Sequence, residues 1–196
     1  MSNAARIVSV LDGLLTKEAK LIIYGRAAIA LGFENPPQAT LRSLDVDALL
    51  SPSCEIAFSE TPEFWDAQDQ LNRILEREGL YMTHIFPADM VFLRPRWEAE
   101  VIPTLRPQLK HLRLFRPATL DLMLTKMMRG NDEQDMQDID FLIRHDRLAQ
   151  SQVDDALAEV VIPDSQELRD AFARARPTVL SLVAKANADG YSISHR

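Results

Sequence analysis

The sequence predicts an α/β (α+β) protein in which a mixed sheet flanked by helices is followed by a helical C-terminal half. Three observations predict it. Two short apolar runs, Leu21–Tyr24 and Asp45–Leu50, have the length and composition of buried strands. Helical spacing precedes the first of them, at Ile7, Val10, Leu11, Leu14 and Leu15. Beyond residue 117 the pattern turns wholly helical, with capping residues at Thr119 and Asp132. The expected division is an α/β core over residues 1–117 and a helical region over 118–196 packed on it.

Each element has its own signal. Residues 4–15 read as an amphipathic helix, and Lys17 to Lys20 break its pattern. Gly25 stops the first strand, and Ala27 to Leu31 form a small-residue helix ending at Gly32. Two prolines make Phe33 to Ala39 a loop. Thr61-Pro62-Glu63 places a hydroxyl, a proline and an acid where a helix begins, with Phe64, Leu71, Ile74 and Leu75 expected inward. Tyr81–Phe86 and Met90–Leu93 read as strands around Pro87, and Leu109–Phe115 as a half-exposed strand. Thr119 is expected to cap a helix that Gly130 ends, and Asp132 a second that reaches about His145. Two more helices follow, over 150–160 and 165–187.

Composition narrows the function classes. A net charge of -7 argues against coating nucleic acid by bulk electrostatics. A single cysteine, Cys54, excludes an intrachain disulfide and a Cys-based zinc site, which fits a reducing, cytoplasmic setting. The four histidines show no metal-ligand spacing, no apolar run is long enough for a membrane span, and no signal peptide is visible. Arg94, Arg96, Arg106, Lys110, Arg113 and Arg116, with Trp97 and His111 among them, read either as a contact for an RNA or DNA acceptor or as a solvated face balanced by Glu98 and Glu100.

The chemistry centres on Asp45 and Asp47. Two residues apart on a strand, they point to one face with Cα atoms roughly 6.5 Å apart. Two carboxylates on an otherwise apolar strand repel each other and are costly to bury without a cation between them. A divalent ion such as Mg2+ takes one or two carboxylates together with substrate phosphates. The other reading is a solvated pair of acids, or a pairing with Arg42. Upstream, Gly25 at the start of a helix lets a phosphate approach backbone N–H groups.

The order of buried strand, Gly25-Arg26, short helix, loop, Arg42-Ser43-Leu44 and Asp45-Val46-Asp47 resembles the nucleotidyltransferase superfamily. It looks in particular like the bacterial abortive-infection and toxin–antitoxin group. A second segment resembles the same group: Leu120-Asp121 to Lys126 and Arg129, then Asp135-Met136-Gln137-Asp138-Ile139. Arg26 stands where the family has a second Gly or Ser. Where the family carries a third carboxylate on a later strand, Tyr81–Phe86 holds no acid; His84 lies within that run and Asp89 just beyond it.

The resemblance implies transfer of a nucleoside monophosphate from an NTP to a hydroxyl acceptor, RNA or protein, with a cognate toxin or antitoxin as partner. Asp45 and Asp47 would hold Mg2+ or Mn2+, with Gly25, Arg26 and Ser43 binding or supporting the nucleotide. Lys126 would neutralise the triphosphate and serve catalysis, with His84 and Asp89 as further candidates. The alternative is a catalytically inactive protein of this fold acting as a nucleotide-sensing or partner-binding regulator. On its own, Lys126 reads as a surface lysine paired with Asp135 or Asp138 across a helical hairpin.

Overall fold

A computed structural model describes residues 1–51, 62–105 and 107–193, without the side chains of His84 and of residues 190–193. Thr61, Cys54, Arg106 and His195 lie outside the described residues. The chain forms two compact units: Met1–Ala88 with Glu98–Pro117, and Asp89–Trp97 with Ala118–Arg196. A stretch from the first half of the sequence thus belongs to the helical unit. Among the described residues no helix is long and apolar enough to cross a membrane.

The first unit is built on a five-stranded mixed sheet of order β3-β2-β1-β5-β4, with β1 Ala19–Tyr24, β2 Asp45–Leu50, β3 Tyr81–Pro87, β4 Ile102–Pro103 and β5 Leu112–Arg116. β1 runs antiparallel to β2 and parallel to β5, and β2 runs parallel to β3. The apolar runs sit at its centre because their side chains are buried on both faces: Leu21, Ile22, Ile23, Val46, Ala48 and Leu49 are all fully buried. Each such aliphatic side chain larger than alanine contributes about 1.5–3 kcal/mol relative to exposure. Helices α1 (Asn3–Leu14) and α2 (Gly25–Gly32) pack on these central strands, and α3 (Pro62–Leu75) on β3.

Polar side chains complete the frame. Asp12, near the end of α1, accepts the backbone N–H groups of Lys110, His111 and Leu112 at 3.0, 2.7 and 2.7 Å. Those N–H groups are therefore taken before the ladder starts, and β5 begins at Leu112 rather than at Leu109 as its alternation suggested. Edge strand β3 is covered by α3, whose Asn72 both accepts the Met82 N–H and donates to the Met82 carbonyl, while Gln68 donates to Thr83. Such cover protects an open edge.

Four expectations are corrected here. Ile74 is 47% exposed. The buried stripe of α3 runs through Phe64, Ala67, Gln68, Leu71 and Leu75. Met90–Leu93 is not a strand. Ala88–Met90 is a short 3-10 turn, Leu93 makes a single bridge to Val161, and Phe92 packs edge-on against Phe172 in the helical unit. Val91, Phe92 and Leu93 are buried without pairing in a ladder, while Met90 is exposed.

The other two concern polar residues. Thr119 is the first helical residue, and Ala118 holds the cap position. The Thr119 hydroxyl donates instead to Asp146. The basic stretch is not a continuous surface, since Trp97 and Arg116 are buried. The Arg116 guanidinium lies 3.9 Å from the ring centre of Phe33 and donates to the carbonyls of Gly32 and Pro117.

The second unit holds the 89–97 segment with α4 (Thr119–Lys126), α5 (Glu133–Asp146), α6 (Gln150–Glu159) and α7 (Gln166–Ile193). α4 gives way at Met127 to a 3-10 turn that ends at Gly130, whose φ of 71° suits a residue without a side chain. Asp132 caps α5 by accepting the Asp135 N–H, as its position predicts. Leu122, Met123, Met127, Ile139, Leu142, Val153, Val179 and Val183 are fully buried.

Candidate functional site

β2 carries Asp45 and Asp47 on either side of the buried Val46, and both are half-buried. Each carboxylate is held by a hydroxyl. Ser43, which follows the 3-10 turn Thr40–Arg42, donates to Asp45 Oδ1 at 2.9 Å. Thr83 on β3 donates to Asp47 Oδ1 at 2.6 Å and also contacts the Val46 carbonyl at 3.3 Å.

The Thr83 contact depends on an irregularity in the sheet. Val46 pairs with Met82 and Ala48 with Ile85, so two residues of β3, Thr83 and His84, stand against the single residue Asp47. Bulges of this kind re-aim side chains and recur beside active sites. This hydroxyl has no signal in the sequence, since it follows from the pairing register. The side chain of His84 lies outside the described residues.

On the other side of β2, Asp47 is the register partner of Tyr24, the last residue of β1. Burial, then the charges of Asp47 and Asp45, push the Tyr24 phenol well above its ordinary range. Both carboxylates therefore act on one phenol, and Tyr24 keeps its proton at neutral pH. Tyr24 is a second site residue that the sequence did not single out.

Gly25 follows at φ 64° and opens α2. A side-chain carbon placed on it would lie 3.6 Å from Asp47 Oδ2. The two oxygens of Asp47 are thus divided, Oδ1 toward Thr83 and Oδ2 toward the glycine turn. No side chain caps the N-terminus of α2, whose backbone N–H groups and helix dipole favour negative charge. Arg26 is half-exposed in the first turn of this helix.

Among the described residues no group of three or more His, Cys, Asp or Glu side chains is placed to hold a metal. Asp45 and Asp47, two residues apart on β2, could supply the one or two carboxylates that an ion of the Mg2+ type takes, its shell completed by water and phosphate oxygens.

The remaining expected residues lie in the helical unit. Asp89 is exposed in the turn Ala88–Met90. Lys126 is buried, with its ammonium 3.1 Å from Asp135 Oδ1 and 2.7 Å from Asp138 Oδ2. Arg129 binds the second oxygen of Asp135 at 2.6 Å, and this hydrogen bond holds its guanidinium above the ordinary range. Asp121, fully buried, receives Arg94 through Nε at 3.2 Å, the second guanidinium nitrogen at 2.7 Å and the backbone N–H at 2.9 Å. Lys126, Asp135 and Asp138 thus form a buried ion-pair cluster that Arg129 joins from the surface, and Arg94, from the basic stretch, pairs with Asp121.

No family model, curated protein or solved structure matches the chain.

Proposed function

We propose that this chain is a metal-dependent nucleotidyltransferase that moves a nucleoside monophosphate from an NTP to a hydroxyl acceptor. The observation that carries the reading is the placement of Asp45 and Asp47 on β2, with Asp47 Oδ2 against the Gly25 turn that opens α2. Carboxylates and an uncapped helix N-terminus have opposite preferences for charge. A triphosphate with a divalent cation satisfies both at once, the cation on the carboxylates and the phosphates on the N–H groups.

Mg2+ or Mn2+, when bound, would screen the triphosphate and raise the acidity of the acceptor hydroxyl. Asp45 and Asp47 would hold the ion, with Ser43 fixing the Asp45 carboxylate. Gly25 would leave the helix N-terminus accessible, and Arg26 would bind phosphate from its first turn. Lys126 is committed to Asp135 and Asp138, and the reading does not require it at the triphosphate. The acceptor class that fits the resemblance is RNA or a protein, in the cytoplasm, alongside a toxin or antitoxin partner.

A second reading is favoured by one observation. β3 opposes Asp47 with Thr83, a hydroxyl in place of another carboxylate. On that reading the chain binds nucleotide as a sensor or partner-binding regulator without turnover. Calorimetric titration with ATP and Mg2+, paired with incubation of labelled NTPs with total RNA and protein, separates the two. Binding with label transfer supports the enzyme and binding without transfer the regulator. No Mg2+-dependent binding removes both.

A further inference from the structure

We infer that Thr83 is a positioning residue for the Asp47 carboxylate, an inference that rests on the metal-binding reading of Asp45 and Asp47. A carboxylate on a strand can rotate about its last side-chain bond, and that torsion is broad and nearly unrestrained. A ligand oxygen left to rotate binds a small ion with demanding geometry poorly. Thr83 removes this freedom: its hydroxyl donates to Asp47 Oδ1 at 2.6 Å, which directs Oδ2 to the side of Gly25.

The hydroxyl is itself fixed. The two-against-one register brings Thr83 opposite Asp47, and the Val46 carbonyl lies 3.3 Å from the same oxygen. Gln68 of α3 donates to the Thr83 carbonyl and holds the backbone at that register. Gln68 lies in the buried stripe of α3, and this bond gives its buried amide a partner. A chain of three side chains thus runs from helix to strand to carboxylate. Ser43 plays the corresponding part for Asp45 from two residues before it, just outside β2. Partners one step removed from a metal typically tune its affinity by about 10–100-fold.

The test measures Mn2+ binding to the full chain by electron paramagnetic resonance, alone and with ATP, for the unmodified protein and for Asp47→Asn, Thr83→Val and Thr83→Ser. Circular dichroism verifies the fold of each. Thr83→Ala replaces Thr83→Val should the valine variant not fold. The expected result is weakening of about tenfold or more for Asp47→Asn and Thr83→Val, with Thr83→Ser within about threefold of the unmodified protein. Unaltered binding in Thr83→Val beside a loss in Asp47→Asn overturns the role of Thr83 and leaves the metal reading standing. A loss in Thr83→Ser, which keeps the hydroxyl, equal to that in Thr83→Val shows that the hydroxyl alone does not set the affinity and overturns it as well. No Mn2+ binding by the unmodified chain, with or without ATP, overturns the metal reading itself.

Discussion

Asp47 Oδ2 lies 3.6 Å from where a side-chain carbon on Gly25 would sit, an ordinary contact distance, while the Gly25 backbone holds a left-handed φ of 64°. The constraint on residue 25 is therefore conformational more than steric. Gly25→Ala should cost about 1–2 kcal/mol, the penalty for placing an L side chain in that region. Gly25→Asn should cost less, because asparagine tolerates the conformation. Urea unfolding of the two variants checks this order. A larger loss for asparagine would mean that space beside Asp47 governs the position.

The paired action of Asp47 and Asp45 on Tyr24 gives a pH observable. Their charges and burial favour the protonated phenol, so Tyr24 should ionise at higher pH than an ordinary tyrosine. Asp47→Asn should bring that ionisation down toward the ordinary value. The difference in phenolate absorbance between each protein and its Tyr24→Phe counterpart isolates this residue. The same substitution should leave the metal-free fold intact, since it removes one of two repelling charges. An unmoved Tyr24 titration would place the Asp47 charge away from the phenol.

Local signals explain what could be read from the sequence. Leu21–Ile23 and Val46–Leu49 form central strands because short apolar runs can be buried on both faces. Asp132 caps α5 through a bond to a residue three positions on, and such motifs are visible in a line of text. What was missed depends on partners distant in sequence. Thr83 meets Asp47 only through a shifted strand register, and Arg94 meets Asp121 across 27 residues. Met90–Leu93 has strand composition, yet Val91, Phe92 and Leu93 are buried with Phe92 against Phe172, and among the described residues the segment's pairing is the bridge from Leu93 to Val161. Ile74, expected inward, is 47% exposed, while the polar Gln68 is buried with its amide donating to the Thr83 carbonyl.

Asp12 should make stability depend on acid pH. Burial tends to raise its pKa, but the N–H groups of Lys110, Leu112 and His111 outweigh it and hold the carboxyl below its ordinary 3.8. A depressed folded-state value means stabilisation present in full above the unfolded value and lost as pH falls through the folded one. Asp12→Ala should therefore cost about 2 kcal/mol at neutral pH, the scale of hydrogen bonds to a charged acceptor. The difference from the unmodified protein should shrink below about pH 4 as the unmodified carboxyl takes up a proton. Denaturant unfolding at a series of pH values measures it, and a pH-independent difference would deny the carboxylate this role.

Arg94 and Asp121 should behave as a coupled pair. Asp121 is fully buried and the Arg94 side chain is 15% exposed, so removing either leaves a charge with little water. Arg94→Met or Asp121→Leu alone should cost about 3–5 kcal/mol. The double substitution should cost clearly less than the sum, because no unpaired charge remains. A double-mutant cycle in urea gives the coupling directly. Strict additivity would show that the two side chains act independently.

Lys126 poses the sharpest choice between a structural and a ligand-binding role. Its ammonium is shared by Asp135 and Asp138, whose side chains are 4% and 2% exposed. Arg129 also serves Asp135, from a largely exposed position. Two buried carboxylates therefore depend on one buried cation with help from one at the surface. Lys126→Met keeps most of the volume and removes the charge. It should destabilise the chain by about 3–5 kcal/mol, since it removes the buried ammonium that pairs with Asp135 and Asp138. Adding Asp138→Asn should restore part of that loss by removing one of the two carboxylate charges. For ligands, a structural lysine predicts equal changes in affinity for ATP and for adenosine, which lacks phosphates. A lysine that binds triphosphate predicts a selective loss for ATP of about 1–3 kcal/mol, the scale of a charge-assisted hydrogen bond. The observed pairing leads us to expect equal changes, and a selective loss for ATP would return Lys126 to the nucleotide.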